Sequence, residues 1–416
     1  MTADLIAAAR SGFDAALAAA APARALAPAL ASLTAPPDAI LAVGKAASAM
    51  ARACRDHGLK APGVIITNPE NAAEVAGFEL IIGGHPVPDK GSLEGAERAI
   101  ALTSSMQEGQ HLLVLLSGGG SALMAKPIGR LSLEDKQDIN AALLASGQDI
   151  HRMNAVRRLF SAVKGGRLAA MAAPARVTQW VLSDVPGDHL ASIASGPFAP
   201  DPWSFDDACI CVREGGIDRH DWARDVLEAM AEGALPPPLR PDDPVFDRVE
   251  SSILASNAIC VEAAANQLSA KGSTVTALPE LTGGAMEMGR HLARYVRAAA
   301  HPLTGVTGGE TVVTLPAEHG LGGRSQALAL SFMLDMQDAG FDWVLLAAGT
   351  DGRDGPTDAA GGLVTSDIAI DHVAARNALT QHDSYPFLDG VGGLLRCPPT
   401  GTNLADIAII VTSPRS

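Results

Sequence analysis

The chain has 416 residues, of which 47 % are hydrophobic and 19 % charged. This is enough for two or three globular domains and too apolar for an intrinsically disordered protein. The formal net charge of −15 argues against nucleic acid and anionic membranes as partners, although a few basic residues in a cleft can still bind a small anion. No apolar run reaches the roughly 18 residues of a membrane span, so we expect none.

The first half of the chain alternates between short buried strands and helices. An amphipathic helix is predicted over residues 3–20, because Asp4, Arg10 and Asp14 interrupt the apolar run that a signal peptide needs. Strands are then expected at 39–43, 64–66, 112–116 and 177–182, and a helix at 46–55. The alternation predicts parallel strands in a Rossmann-like, doubly wound α/β sheet.

A proline-rich segment at 200–244 interrupts this alternation and is interpreted as a connection between domains that is partly helical around 222–230. The strand and helix pattern then resumes. Helices are expected at 256–270, 286–300 and 325–337, and strands at 274–278, 305–307, 311–315, 343–348 and 407–411. We therefore predict two α/β domains, residues 1–240 and 241–416, with an active-site cleft between them.

A glycine-rich loop follows the strand at 112–116 and opens a predicted helix. Its consecutive glycines bring backbone N–H groups to one point, as in phosphate sites, whereas the alternative is a plain turn. The candidate phosphate-binding residues are Ser117, Gly118, Gly119, Gly120 and Ser121. The chain lacks the GxxxxGK[ST] motif of P-loop kinases, and no GxGxxG motif follows the first strand.

Charged side chains follow several predicted strands. Lys45 lies beside a helix N-terminus, which a cation ordinarily avoids, and this indicates binding of phosphate or carboxylate. Asp184 follows a strand where open α/β sheets bind ligands, although it could instead cap a turn. Asp351, Asp354 and Asp358 lie in a glycine-rich loop that is suited to Mg²⁺ by its carboxylates.

Three further polar residues are candidates for the site. Arg324 opens a helix after a glycine-rich loop and, with Glu310, forms a charge pair near strand ends, where arginine can bind a carboxylate or phosphoryl group. Asn403 is a candidate polar contact, and His85 is either a catalytic base or a structural residue. Five cysteines without CxxC spacing predict reduced thiols and a cytoplasmic location.

In their order along the chain, these motifs resemble the glycerate 2-kinase family of bacteria, archaea and animals, whose C-terminal domain is named for a MOFRL motif. The similarity extends over nearly the whole chain. The segments that carry it are 43–46 (VGKA), 84–89 (GHPVPD), 117–122 (SGGGSA), 154–158 (NAVRR), 164–168 (KGGRL), 182–188 (LSDVPGD), 308–311 (GGET), 322–324 (GGR), 349–352 (GTDG) and 354–361 (DGPTDAAG).

The resemblance implies transfer of the ATP γ-phosphate to D-glycerate, with Mg²⁺, to give 2-phosphoglycerate. It implies Lys45, Arg324 and Asp351 as catalytic residues, and Asp184 and Glu310 as metal ligands. The segments that match the family add Asn154, Lys164 and Asp188 as further candidate site residues, beside His85 and Asn403. In this reading Lys45 and Arg324 bind the glycerate carboxylate and neutralise charge on the γ-phosphoryl group.

The chain departs from the family pattern after Arg324, where Ser325-Gln326-Ala327 replaces an expected Asn-Gln-Glu, and at Arg353. These departures leave the fine substrate preference open. The residues also leave open C2 or C3 phosphorylation and the oligomeric state, a homo-oligomer included. The alternatives to a kinase are an NAD(P)H-dependent hydroxypyruvate reductase, which some relatives are called, and a sensor that binds ligand without turnover.

Overall fold

The computed structural model describes residues 2–300, 302–398 and 400–414. In these ranges the chain forms helices α1 Thr2–Ala20, α2 Pro22–Ala31, α3 Ala47–Asp56, α4 Lys90–Ser104, α5 Gly120–Leu123, α6 Leu133–Ala145, α7 Ile150–Leu159, α8 Arg167–Ala172, α9 Phe205–Glu214, α10 Asp221–Ala231, α11 Asn257–Ala270, α12 Ala285–Ala298, α13 Arg324–Met336, α14 His372–Thr380 and α15 Ser384–Gly390. The strands are β1 Ala39–Val43, β2 Gly63–Thr67, β3 Phe78–Ile82, β4 His111–Ser117, β5 Arg176–Ser183, β6 Val249–Ser256, β7 Val275–Ala277, β8 Thr304–Gly309, β9 Phe341–Gly349, β10 Gly361–Thr365, β11 Leu394–Leu395 and β12 Asp406–Pro414. None of the described helices is long and apolar enough to cross a membrane.

The chain divides into two compact units. The N-terminal unit comprises Ala25–Leu254, and the C-terminal unit comprises residues up to 24 together with those from 255 onward. This division differs from the predicted ranges 1–240 and 241–416, because α1 packs on α11, β9 and β12 of the C-terminal unit. A β-carbon on Gly12 would lie only 3.0 Å from Ile409 Cδ1, so the small residue permits this close packing.

The N-terminal unit contains a sheet with strand order β3-β2-β1-β4-β5-β6. The pairings from β3 through β5 are parallel, and every residue of β1 and β4 is buried. Continuous apolar strands are expected where helices cover both faces of a parallel sheet. The predicted Rossmann-like α/β fold is confirmed, and the carboxyl ends of β1, β4 and β5 bring their loops to one edge.

The C-terminal unit contains a second sheet, with strand order β11-β10-β9-β12-β8-β7. Only β7 and β8 are parallel, and the pairings from β8 through β11 are antiparallel. The parallel pattern therefore does not extend to this unit, because β9 returns to β10 through a loop without a crossover helix. The strand predicted at 311–315 is wrong, since Val312 makes only an isolated bridge, to Gly284.

The proline-rich segment predicted as a connection is instead part of the N-terminal unit. Helices α9 and α10 pack with α6 and α7 around a separate apolar core. The ring of Trp222 in α10 meets Phe160 edge-on, with centroids 5.9 Å apart. Arg158 Nε donates to Asp201 Oδ2 at 2.6 Å, and both side chains are buried. The prolines bound these helices, and the segment contributes to a core rather than to a linker.

Candidate active site

The loop after β1 is held against the loop after β4. Lys45 N donates to Gly118 O at 2.9 Å, and Ala46 N donates to Ser117 Oγ at 3.0 Å. Gly44 has a φ of +123°, and a β-carbon on it would lie 2.2 Å from Ser117 Oγ. Only glycine accommodates both this conformation and this approach, so the sequence at 44 fixes Lys45 beside the glycine-rich loop.

We expect Gly44→Ala to lower the free energy of unfolding by about 3 kcal/mol, because it adds overpacking to backbone strain. The matched control is Gly58→Ala, where φ is +100° but a β-carbon would meet no atom within 4 Å. It should cost about 1 kcal/mol, from backbone strain alone. Urea denaturation of both variants measures the difference, and equal losses would show that the contact between the two loops is not tight.

The glycine-rich loop places Gly119 between Lys45 and His85. Gly119 has a φ of +82°, and a β-carbon on it would lie 3.1 Å from His85 Cδ2 and 3.2 Å from Lys45 Cγ. Partial burial and then the charge of Lys45 lower the pKa of His85, so its imidazole is neutral at pH 7. The helix that follows, α5, has only four residues. The loop therefore offers an anion its backbone N–H groups rather than a large helix dipole.

Asp184 lies at the same edge of the sheet, directly after β5. Its carboxylate contacts the glycine-rich loop, since a β-carbon on Gly118 would lie 2.0 Å from Asp184 Oδ2. Asp188 lies four residues further along the same turn and is half-buried, with a φ of +55°. The structure thus brings Lys45, His85 and Asp184 to the loop at 117–121.

Ser121 connects this loop to a buried lysine. Lys164 Nζ donates to Ser121 O at 2.8 Å and lies 2.6 Å from Ser121 Oγ, which is 2.9 Å from Ser195 Oγ. Burial, and then the charges of neighbouring cations, lower the pKa of Lys164 well below its usual range. Asn154 accepts a hydrogen bond from Arg157 Nη1 at 3.2 Å. Its side chain lines a different cavity, of about 460 Å³, beside Trp203.

A second cluster of charges lies in the C-terminal unit, at the first residue of α13. Arg324 Nε donates to Asp406 Oδ2 at 2.6 Å, Nη2 donates to Asp406 Oδ1 at 3.0 Å, and Nη1 donates to Glu310. Asp406 begins β12, where it pairs with Gly309 of β8 and Gly349 of β9. The sequence prediction included Arg324 and Glu310 but missed Asp406. The feature of the sequence that could have indicated Asp406 is a carboxylate at the start of an apolar strand.

The electrostatics of this cluster favour a charged arginine. Burial raises the pKa of Asp406 to about 6, against the opposing effect of Arg324. Burial lowers the pKa of Arg324, but the hydrogen bonds and charges of Asp406 and Glu310 outweigh it and raise that pKa overall. Three of the five guanidinium N–H groups bind these carboxylates, which leaves two to bind an anion.

The three aspartates of the loop after β9 do not form the metal site that their spacing predicts. Asp354 is buried and accepts hydrogen bonds from the backbone N–H groups of Ser325 and Gln326, at 3.1 and 2.7 Å. Asp358 is bound by Tyr385 Oη at 2.6 Å. Asp351 Oδ1 accepts from the N–H of Arg353 at 2.9 Å. Across the described ranges, no group of three His, Cys, Asp or Glu side chains is arranged to hold a metal ion.

Asn403, the remaining predicted residue, lies just before β12. Its Oδ1 accepts a hydrogen bond from Ala405 N at 3.4 Å, and the residue is half-buried. Ala405 itself has a φ of +63°, which is uncommon for a residue with a β-carbon. Asn403 therefore supports the turn that delivers Asp406, and its own amide group is in part accessible.

Comparison with known proteins supplies the context for this arrangement. The model of a domain of unknown function, DUF4147, matches residues 8–230, and the MOFRL family model matches residues 303–406. A glycerate 2-kinase of Pyrococcus horikoshii is 37 % identical over 391 residues, covering 90 % of this chain and 88 % of that protein. The chain belongs to the glycerate 2-kinase family.

Other members of the family agree with this assignment and add one complication. From Thermotoga maritima, a D-glycerate 2-kinase is 36 % identical over 89 % of both chains. The crystal structure of a glycerate kinase from the same organism aligns with a TM-score of 0.88 at 34 % identity, covering 98 % of this chain and 99 % of that one. A protein of Agrobacterium vitis that is 36 % identical, over 89 % of this chain and 86 % of its own, is provisionally named hydroxypyruvate reductase.

Proposed function

We propose that this chain is an ATP-dependent glycerate 2-kinase, which transfers the γ-phosphate of ATP to the C2 hydroxyl of D-glycerate to give 2-phosphoglycerate and ADP. The observation that carries the proposal is the placement of Lys45 against a loop of consecutive glycines, at the sheet edge that also presents Asp184. The names of the family members from Pyrococcus horikoshii and Thermotoga maritima support the same reaction.

Phosphoryl transfer depends on positioning and on charge stabilisation more than on covalent chemistry. Lys45 would neutralise charge that develops on the transferring group, and the N–H groups of residues 118–121 would bind phosphate oxygens. The two N–H donors of Arg324 that its carboxylate partners leave free would bind a second anionic oxygen. His85, neutral at pH 7 and in contact with Gly119, would accept the proton of the attacking hydroxyl.

Mg²⁺ would neutralise charge on the phosphates of ATP. This ion is commonly held by one or two carboxylates together with waters and phosphate oxygens, so a three-carboxylate cluster is not required. Asp184 fits this role because its carboxylate lies against the glycine-rich loop. Glu310 fits it less well, since Arg324 already binds one of its oxygens. Asp351, a half-buried residue of the C-terminal unit, stays a predicted site residue.

A coupled assay of ADP formation tests the proposed reaction. We expect ADP formation that requires D-glycerate, and no oxidation of NADH on addition of hydroxypyruvate. The second measurement matters because the parallel sheet has the strand order of dinucleotide-binding folds, although residues 44–49 (GKAASA) lack their glycine motif. Oxidation of NADH by hydroxypyruvate, without glycerate-dependent ADP formation, would replace the kinase with a reductase.

The proposal includes a cytoplasmic location. All five cysteines are free, and Cys54 and Cys260 are buried with a pKa raised by burial to about 12. Unpaired, unreactive thiols are typical of proteins from reducing compartments. Immunodetection in fractionated cells would test this location.

A further inference from the structure

A small basic pocket lies beside the glycine-rich loop of the N-terminal unit. Its volume is about 220 Å³, below the roughly 300–1,000 Å³ of pockets for drug-sized ligands. It is lined by His85, Pro86, Pro88, Gly119, Ser121, Ala122, Lys136, Asn140, Arg157 and Lys164. None of these lining residues is acidic, although the chain has 46 acidic and 31 basic residues. We call this cavity the Lys136 pocket.

Lys136 is the side chain that requires an explanation. It lies in the first turns of α6, which Ser132 and Asp135 cap, and it is only 6 % exposed. Among the described residues, no acceptor forms a hydrogen bond or ion pair with its ammonium group. A buried cation without a counter-ion costs several kcal/mol of desolvation, of the order found for broken buried ion pairs. The fold therefore keeps a destabilising charge in the wall of this pocket.

The neighbouring basic groups also lack a carboxylate partner in the described structure. Arg157 is half-buried, and its guanidinium donates to the amide oxygens of Asn140 and Asn154, each at 3.2 Å. Lys164 binds Ser121, as described above. Arg158, the next residue in α7, behaves differently because it pairs with Asp201. The absence of a counter-ion is therefore a property of the side chains that line the pocket.

We propose that the Lys136 pocket binds the carboxylate of the acceptor hydroxy acid, through the ammonium group of Lys136 and the guanidinium of Arg157. This inference rests on the proposed function. The pocket is too small for a nucleotide, and Gly119, which lines it together with His85, lies against the side chain of Lys45. An acid whose carboxylate is bound there would hold its hydroxyl group near the loop at 117–121. Lys45 is then available for the phosphoryl group.

The assignment predicts a specific dependence on pH. Burial, and then the charge of Arg157, lower the pKa of Lys136 to about 8. Lys136 therefore carries its charge below pH 8 and loses it above, so the KM for D-glycerate should rise by about tenfold per pH unit beyond pH 8. Arg157, Lys164 and His85 also face the pocket, and burial lowers the pKa of each of them.

The direct test uses Lys136→Met, which keeps the length of the side chain and removes its charge. We expect the KM for D-glycerate to rise by about tenfold or more, the scale of a lost hydrogen bond to a charged group, while the KM for ATP changes less than about twofold. The matched control is Lys126→Met, which removes a lysine that is 33 % exposed and paired with Glu97. Arg157→Met should show the same pattern as Lys136→Met.

Stability provides a second readout. Because Lys136→Met removes a buried and unpaired charge, its midpoint of thermal unfolding should equal or exceed that of the wild type. The variant should also lose the rise of KM above pH 8. A higher midpoint together with weaker glycerate binding would assign Lys136 to ligand binding rather than to the core.

The outcomes separate this inference from the proposed function. If the wild type forms no ADP with D-glycerate, the kinase proposal fails, and the carboxylate assignment fails with it. If the wild type is active and both pocket variants keep a normal KM for D-glycerate, only the assignment of the pocket fails. A raised KM for ATP with an unchanged KM for D-glycerate would assign the pocket to a phosphate group of the nucleotide, and would overturn the inference.

Discussion

Lys45→Ala is expected to lower the turnover of glycerate phosphorylation by on the order of 10³-fold, because a cation at the transferring phosphoryl group stabilises the transition state most. The fold should persist, since Lys45 is held by its backbone N–H, which the variant keeps. Its side chain contributes no ion pair within the described residues. Steady-state kinetics of ADP formation, with circular dichroism as a check on folding, measure the effect.

Lys60→Ala is the matched control for this prediction. Lys60 belongs to the same unit, is exposed, and lies in the loop before β2, at the sheet edge opposite to the loop that carries Lys45. Its replacement should leave turnover within about twofold, as is usual for a surface substitution. A folded Lys45→Ala enzyme with near-normal turnover would overturn the assignment of Lys45 to the reacting group.

Arg324→Met is expected to lower both stability and turnover, and the two losses have different causes. Its removal leaves Asp406 buried without its cation, a loss on the order of 3 kcal/mol in the free energy of unfolding. The pKa of Asp406 in the folded protein then lies further above its unfolded value. A carboxyl group whose pKa is higher in the folded than in the unfolded protein makes the folded state less stable as pH rises. The stability loss of Arg324→Met should therefore be greater at pH 8 than at pH 5.

The double variant Arg324→Met, Asp406→Asn separates structure from catalysis. Removal of the second charge should restore most of the stability, because no unpaired carboxylate remains, and it should not restore turnover. Arg290→Met is the control, since Arg290 and Glu287 form an exposed pair in the same unit and exposed pairs contribute roughly 0–1 kcal/mol. If turnover returns with stability in the double variant, Arg324 acts only through the fold.

The N-terminal sheet and the position of Lys45 were accessible from the sequence. The strand predicted at 39–43 has the bounds of β1, because a buried apolar run that ends in glycine is a local signal. The loop at 117–121 follows its strand for the same reason. The helix at 3–20 was also predicted, but not its partner: an amphipathic pattern specifies one apolar face, and not the distant α11 that covers it.

The parts that sequence reasoning missed depend on long-range contacts. The pairing of Arg324 with Asp406 joins residues 82 positions apart, and neither residue carries a local indication of the other. Lys136 and Arg157 lie in helices where a charged side chain ordinarily faces solvent. Only the packing of α6 and α7 shows that they line a pocket. Ser325, a departure from the family pattern, is 2 % exposed, so any contact with substrate through its side chain requires rearrangement.

The spacing of Asp351, Asp354 and Asp358 suggested one metal-binding loop, but the three carboxylates have different partners. In the structure Asp354 turns inward to cap α13, and Asp358 binds Tyr385. Burial raises the pKa of Asp354 to about 7, although the two backbone N–H groups it binds act in the opposite direction. A carboxylate committed to a helix N-terminus is not available to a metal ion.

Phosphorus NMR of the reaction of ATP with D-glycerate tests the central claim most directly. With Mg²⁺ present, we expect the γ-phosphate signal of ATP to be replaced by the resonance of 2-phosphoglycerate, with one ADP formed for each. Appearance of 3-phosphoglycerate would keep the kinase and contradict the C2 assignment. Release of inorganic phosphate alone, or no reaction of ATP, would contradict phosphoryl transfer to glycerate.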